Sequence, residues 1–395
     1  MAEEHSGATE SSIVAQLVTT DEDFREVLAD LASADRYAVD TEFHRERTYY
    51  AQVALVQLAW GDRIAMVDPL AVDIGPLAQV LDGPGICIMH ACRQDLEVLD
   101  RHCHTIPEAM VDTQLMAGFL GYSSPSLASL LDRELGLRLP KADRLTDWLH
   151  RPLSDAQLAY AASDVSDLVE LHDSLARQLD ERGRRAWFDA EMKEMIADPR
   201  GPRDPAEVWR RIKELRHLKG KDLAIAQAVA AWREERAEEL DLTPRFVLSD
   251  LGVVGIAVSK PQRVEDLKSI RGVEGRSLRS GVAEDLVATV AEAVKNPPRM
   301  SSKAPVADVP NEMRPAMPLV SAWVTQLARD EAIDAALLAT RADIESLLRG
   351  DADARLAHGW RGDLVGTPVR QLLSGSASIA FEPSGRLVLE PRLPK

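Results

Sequence analysis

The chain has 395 residues, 45% of them hydrophobic, and a formal net charge of −17, which suits two or three domains with sizeable cores. No apolar run approaches the ~20 residues of a membrane-spanning helix, no basic-then-apolar leader opens the chain, and three cysteines make no disulfide framework. These features argue against a membrane or secreted protein and point to a reducing, cytoplasmic setting.

Residues 1–30 hold eight acids and one base and read as a disordered acidic tail. Tyr37–Phe43 (YAVDTEF), Gln52–Trp60 and Arg63–Val67 are short β-prone runs separated by polar or glycine breaks. Gly75–Leu81 reads as a short helix, Ile86–Met89 as a strand, and Cys92–His102 as an amphipathic helix. From Asp112 the pattern turns helical and ends in one long helix near Ser154–Arg182. Residues 31–197 therefore predict an α/β domain with a mixed sheet flanked by helices. Asp198–Pro205 (DPRGPRDP) is a linker. Residues 205–295 show helical periodicity without a strand, residues 296–318 hold six prolines and form a second linker, and 319–373 are helical again. The end of the chain, to residue 395, is weakly structured with a short strand at Arg386–Leu389.

The net charge hides an asymmetry. Residues 201–280 carry 16 Lys/Arg against 13 Asp/Glu, +3, so the remainder sums to −20. A weakly basic module on an acidic body fits local phosphate contacts; a solvated helical surface is the plainer reading of charge alone.

Asp40 and Glu42 lie two apart in a β-prone run, so both side chains share one strand face, opposite Val39, Thr41 and Phe43. Adjacent carboxylates repel unless a positive charge sits between them, although a solvated strand end explains the pair taken alone. Tyr160 and Asp164 are four apart and project from one helix face. Asp95 falls in the first turns of its helix, where it also complements the helix dipole. Together the four acids can converge at one sheet edge. Such an all-oxygen site suits Mg²⁺ or Mn²⁺ and not zinc, and two ions about 4 Å apart would clamp a phosphodiester. Tyr160 is placed to orient the attacking water.

VDTEF, HACRQDLEVL and YAASDV, in this order and with flanks RTYYAQVALVQLA, DTQLMAGFLGY and DWLHRPLSDAQLAYAASDVSDL, resemble the three exonuclease motifs of the DEDD superfamily, ribonuclease D branch, across about residues 37–180. Tyrosine four before the last Asp, with Ala159 in the alternative histidine slot, resembles the tyrosine branch. The resemblance implies a ribonuclease H-like fold with a five-stranded mixed sheet, Asp40, Glu42, Asp95 and Asp164 as metal ligands, and hydrolysis from the 3′ end to nucleoside 5′-monophosphates.

The same matches offer secondary candidates. Phe43 could stack on the terminal base or belong to the core. Lys141 and Arg151 could hold a phosphate. Asp112 looks ligand-like but starts a helix and is favoured as a cap. Cys87, His90, Cys92, His102, Cys103 and His104 fall within 18 residues, yet lack a paired Cys-x₂-Cys, so zinc is disfavoured.

Val208–Ala293 resembles the HRDC domain, carried by WRRIKELRHLKGKDLAIAQAVAAWREERAEELDLTPRFVLSD and PQRVEDLKSIRGV. Eight bases against three acids between Arg200 and Lys221 suit phosphate binding without sequence reading. Gly272 and Gly275 could approach a phosphate or simply make a helix–helix turn. HGWRGDLVGTPVRQLLSG faintly resembles the end of a second, diverged copy. The resulting expectation is a metal-dependent 3′→5′ exoribonuclease acting on RNA 3′ ends, transfer-RNA precursors being the family's typical substrate, with no protein partner predicted. A DNA 3′→5′ exonuclease and a catalytically inactive RNA-binding scaffold are the rivals.

Overall fold

In the computed structural model, which describes residues 14–139, 146–275, 281–298 and 308–392, the acidic amino-terminal stretch is folded from Val14 onward. This corrects the expectation of a disordered tail over 1–30; residues 1–13 lie outside the described residues. Strand β1 (Val14–Val18) is followed by helix α1 (Asp21–Leu31). Thr20 caps α1 by accepting the amide of Asp23, and Asp21, Glu22 and Asp23 sit in its first turn, where the helix dipole favours acids. Phe24, Val27, Leu28 and Leu31 are buried at helical spacing. Much of the acid excess is thus the chemistry of one helix start.

The sheet continues with β2 (Arg36–His44), β3 (Gln52–Trp60), β4 (Arg63–Val67), β5 (Ile86–Met89) and β6 (Met110–Asp112). Among the described residues it has six strands, not five, in the order β1-β4-β3-β2-β5-β6. The β3–β4 pair is antiparallel, whereas β1–β4, β2–β5 and β5–β6 are parallel, which makes the sheet mixed. The edge strands escaped the sequence pattern because β6 has three residues and β1 stands among acids and polar residues. Eight consecutive residues of β3 are buried, the mark of a strand covered on both faces.

The covering helices of this domain are α2 (Ala78–Leu81), α3 (Arg93–Cys103), α4 (Thr113–Gly118), α5 (Leu127–Leu135), α6 (Asp155–Ser163), α7 (Leu168–Glu181) and α8 (Arg185–Ala197). The single long helix expected over Ser154–Arg182 is two. The sequence between them is rich in Ser and Asp, residues that bond locally and compete with helix backbone; Ser166 donates to the side chain of Asp167 at 2.5 Å. The apolar stripe Leu168, Leu171, Leu175, Leu179 belongs to α7 alone, whereas α6 buries little besides Ala161.

The chain divides into two compact units. One holds the described residues of 1–41, 55–199 and 307–395; the other holds 42–54 with those of 200–306. The second unit contains α9 (Gly220–Glu239), α10 (Pro244–Val247), α11 (Asp250–Ser259), α12 (Val264–Leu267) and α13 (Val282–Lys295). Ile225, Val229, Val253, Ile256, Leu286 and Val290 form its core. Gly272 has φ +90°, and a Cβ there would lie 2.6 Å from the Gly252 amide nitrogen. Ser249 caps α11 and donates to the Gly272 carbonyl, so this glycine serves close helix approach.

The carboxy-terminal module belongs to the first unit and is not a separate body. It comprises α14 (Ala316–Glu331), α15 (Ala335–Leu338), α16 (Arg341–Arg349), α17 (Gly359–Arg361), α18 (Thr367–Leu373) and a hairpin of β7 (Ala377–Phe381) and β8 (Leu387–Pro391). The hairpin replaces the weakly structured tail with one short strand; Ile379 and Leu389 pack on the module's core. Trp187 of α8 stacks on Trp360 at 5.1 Å, and Arg184 donates to the carbonyls of Phe119, Glu331 and Ala332. Gly118 admits Leu337, which stands 2.6 Å from where a Cβ would be.

Candidate active site

Burial along β2 alternates from Val39 to Glu42, as the sequence predicts. Tyr37, Val39 and Thr41 are buried, while Asp40 and Glu42 are only half-buried. Pairing with β5 ends at Ala38, so both carboxylates stand on the part of β2 that outruns its parallel neighbour. Asp164 caps the carboxyl end of α6, which starts with a capping box of Ser154 and Gln157. One carboxylate oxygen each from Asp40, Glu42 and Asp164 lies within 4.8 Å of the others. Burial pushes Asp164 up to about 7, against a hydrogen bond from Tyr160 that pulls it down. Three crowded carboxylates with a desolvated member form a hard, all-oxygen donor set, which a divalent cation fits.

Tyr160 stands one helical turn before Asp164, and its ring lies 6.0 Å from that of Trp148. The link between Tyr160 and Asp164 is the i, i+4 relation read from the sequence, now with the hydroxyl on the carboxylate.

Asp95 is in the first turn of α3, as expected, but it is not one of the three gathered acids. Thr41, on the alternate face of β2, donates its hydroxyl to Asp95 at 2.5 Å. Burial pushes Asp95 up to about 6, with Thr41 pulling it down and the charge of Asp112 adding to the rise.

Asp112 caps α4 by accepting the amides of Gln114 and Leu115, as the capping reading holds, and it also accepts those of Ala91 and Cys92. The β5–α3 turn that delivers Asp95 is thereby tied to β6, with Ala91 at φ +57°. Sequence reasoning missed this second duty. Nothing in local spacing signals a carboxylate that reaches back 21 residues.

The secondary candidates fare differently. Arg151 is engaged within the fold: Nε and Nη2 make a two-pronged pair with Asp68 at 2.6 and 2.7 Å, and Nη1 donates to the carbonyls of Trp148 and His150. Asp68, 83 residues away and 5% exposed, is invisible to local pattern. Lys141 lies outside the described residues. Phe43 is half-buried and stands outside the main core. Cys87, Cys92 and Cys103 are free, buried thiols that burial pushes up, and His90 Nδ1 contacts the Thr113 hydroxyl. Among the described residues they form no metal-binding group.

Residues 15–180 match the 3′-5′ exonuclease family and residues 222–290 the HRDC domain. Ribonuclease D of Nitrobacter hamburgensis is 33% identical over 377 residues, covering 94% of this chain and 98% of the relative. Ribonuclease D of Jannaschia sp. is 32% identical, covering 92% and 96%. The chain belongs to the ribonuclease D family. It is a 3′→5′ exoribonuclease, a hydrolase with an exonuclease domain followed by a helical HRDC domain. Ribonuclease D of Escherichia coli, described as an exoribonuclease involved in structured RNA processing, shares its fold with a TM-score of 0.81 and 31% identity, over 92% of this chain and 99% of that one. A protein from Bifidobacterium adolescentis matches with a TM-score of 0.67 and 25% identity, over 91% and 97%. No helix among the described residues is long and apolar enough to cross a membrane.

Proposed function

We propose that this ribonuclease D-family enzyme trims the 3′ ends of structured RNA, transfer-RNA precursors among them, releasing nucleoside 5′-monophosphates by a two-ion mechanism. The observation that carries the reading is the group of Asp40, Glu42 and Asp164 within 4.8 Å, with Tyr160 on Asp164. These three acids would hold divalent cations, Mg²⁺ or Mn²⁺. Asp95, fastened by Thr41, adds the fourth carboxylate from the adjoining turn. Two such ions held there would supply positive charge against the phosphodiester and would favour attack by water.

Tyr160 orients the attacking water through its hydroxyl, with Asp164 fixing that hydroxyl's direction. Half-buried Phe43, next to Glu42, offers its ring to the terminal base, since stacking tolerates any base. In the second unit Arg211, Lys213, Arg216, Lys219 and Lys221 are exposed, a set that suits backbone phosphates regardless of sequence. The exonuclease domain spans residues 14–197, the HRDC domain 205–295, and the helices from Ala316 a diverged second module. Three free thiols favour a reducing cytoplasm.

The test compares 3′-labelled RNA and DNA oligomers with recessed and overhanging ends, with Mg²⁺, with Mn²⁺ and with chelator. Metal-dependent shortening of RNA is the expected result. Degradation of DNA but not RNA would replace this reading with a DNA exonuclease.

A further inference from the structure

The segment that follows Glu42 is unusual in where its partners lie. Strand β2 ends at His44 and β3 begins at Gln52, so residues 45–51 have no ladder of their own. Residues 42–54 belong instead to the same compact unit as 200–306. Asp241, just past α9, accepts the backbone amides of both Tyr49 and Tyr50 at 3.1 Å. The Tyr49 hydroxyl donates to Glu234 at 2.9 Å and the Tyr50 hydroxyl to Glu238 at 2.6 Å. Thr243 donates through its amide to the Arg47 carbonyl and through its hydroxyl to the Glu46 carbonyl, at 3.1 and 2.9 Å. The two tyrosine rings meet edge to face at 5.0 Å.

This clamp is built, not incidental. Glu234 is 3% exposed, and a buried carboxylate requires a donor. Burial and the neighbouring Glu234 and Glu238 raise the Tyr49 hydroxyl well above its ordinary range, so it stays a donor. Glu234 and Glu238 are one turn apart on α9 and face the tyrosines together.

We infer that Tyr49, Tyr50 and Asp241 are positioning residues for Glu42, so that helix α9 is part of the support of the metal site. Glu42 stands two residues before the end of β2, where its crowding with Asp40 and Asp164 tends to splay it outward. The loop beyond it is held from α9 and the Asp241 that follows it, and this clamp limits that motion. A displacement near 1 Å at a reacting centre costs about 10²-fold in rate, and partners that orient metal ligands are worth about 10–100-fold. The inference rests on the reading of Glu42 as a metal ligand.

The test uses the full chain carrying Tyr49→Phe with Tyr50→Phe, and separately Asp241→Ala. The phenylalanines keep the rings and remove only the hydroxyls. Hydrolysis of an RNA trinucleotide is followed as Mn²⁺ is varied. The expected result is a fall in kcat of about ten- to a hundredfold, KM within about twofold, and a several-fold rise in the Mn²⁺ concentration giving half-maximal rate, with excess Mn²⁺ recovering part of the loss. A merely structural role would lower the active fraction without moving the Mn²⁺ requirement, and that result overturns the inference. So does an unchanged kcat on the trinucleotide with a raised KM on long RNA, which would make the clamp an anchor for RNA binding. Asp40→Asn run in parallel separates the two readings: if it is inactive while the clamp variants are normal, only the clamp fails; if it is active, the metal reading fails and the clamp's role goes with it.

Discussion

The hydroxyl of Thr41 donates to the carboxylate of Asp95 at 2.5 Å, joining the buried face of β2 to the first turn of α3. One strand thus contributes twice: Asp40 and Glu42 from one face, and from the other the residue that holds the fourth acid. Thr41→Val keeps shape and removes the hydroxyl. A loss of about 10–100-fold in metal-dependent activity is expected, read as kcat/KM with near-wild-type thermal stability. Unchanged activity would show that Asp95 does not depend on Thr41.

Asp40→Asn removes one charge from the three gathered acids. RNA trimming should be abolished while RNA binding persists. In the parent protein, Mn²⁺ at about a hundred times its Kd should add about 2.7 kcal/mol to the folded state, seen as a rise in Tm. The variant should show little of this rise. Normal trimming would dismiss the metal assignment.

Tyr160→Phe removes the hydroxyl that bonds Asp164. The expected outcome is a kcat lower by about 10²–10⁴-fold, with the Mn²⁺-dependent rise in Tm retained. Should kcat hold steady, Tyr160 is a packing residue against Trp148.

Arg151 and Asp68 form a mostly buried pair. Arg151→Ala should destabilise the fold by about 2–3 kcal/mol, below the usual cost of breaking a fully buried pair because Arg151 is a quarter exposed. Urea unfolding measures this, and KM for RNA should not change. If KM rises with stability intact, the residue holds phosphate after all.

The same pair carries a pH signature. Burial alone would push Asp68 up, but hydrogen bonds from Arg151 and the Leu70 amide outweigh it and hold the carboxyl below its ordinary range. A depressed carboxyl stabilises the folded state fully above the unfolded-chain value, about 3.9, and loses that contribution as pH falls through the folded value. The stability gap between the parent and Asp68→Asn should therefore be constant near neutrality and shrink below about pH 4. A gap that persists at lower pH would mean the pair's charge is not what stabilises.

Local chemistry was enough to read the acids of β2, the turn between Tyr160 and Asp164, the capping role of Asp112 and the helical build of the HRDC domain. Alternation along a strand and the 3.6-residue turn are properties of neighbouring residues, so sequence alone determines which side chains share a face. Sequence also determined the family, because VDTEF, HACRQDLEVL and YAASDV keep their order and flanks. Only the tertiary structure decided what those faces meet. Asp95 bonds Thr41 across 54 residues, Arg151 meets Asp68 across 83, and the tyrosines after Glu42 reach α9 and the Asp241 beyond it across 185 to 192. The folding of residues 14–31 likewise depended on distant elements, since β1 pairs with β4 and α1 buries Phe24, Val27, Leu28 and Leu31. The reason is physical: a polar side chain can satisfy itself locally, in solvent or across the fold, and its own neighbours in the chain do not distinguish these outcomes.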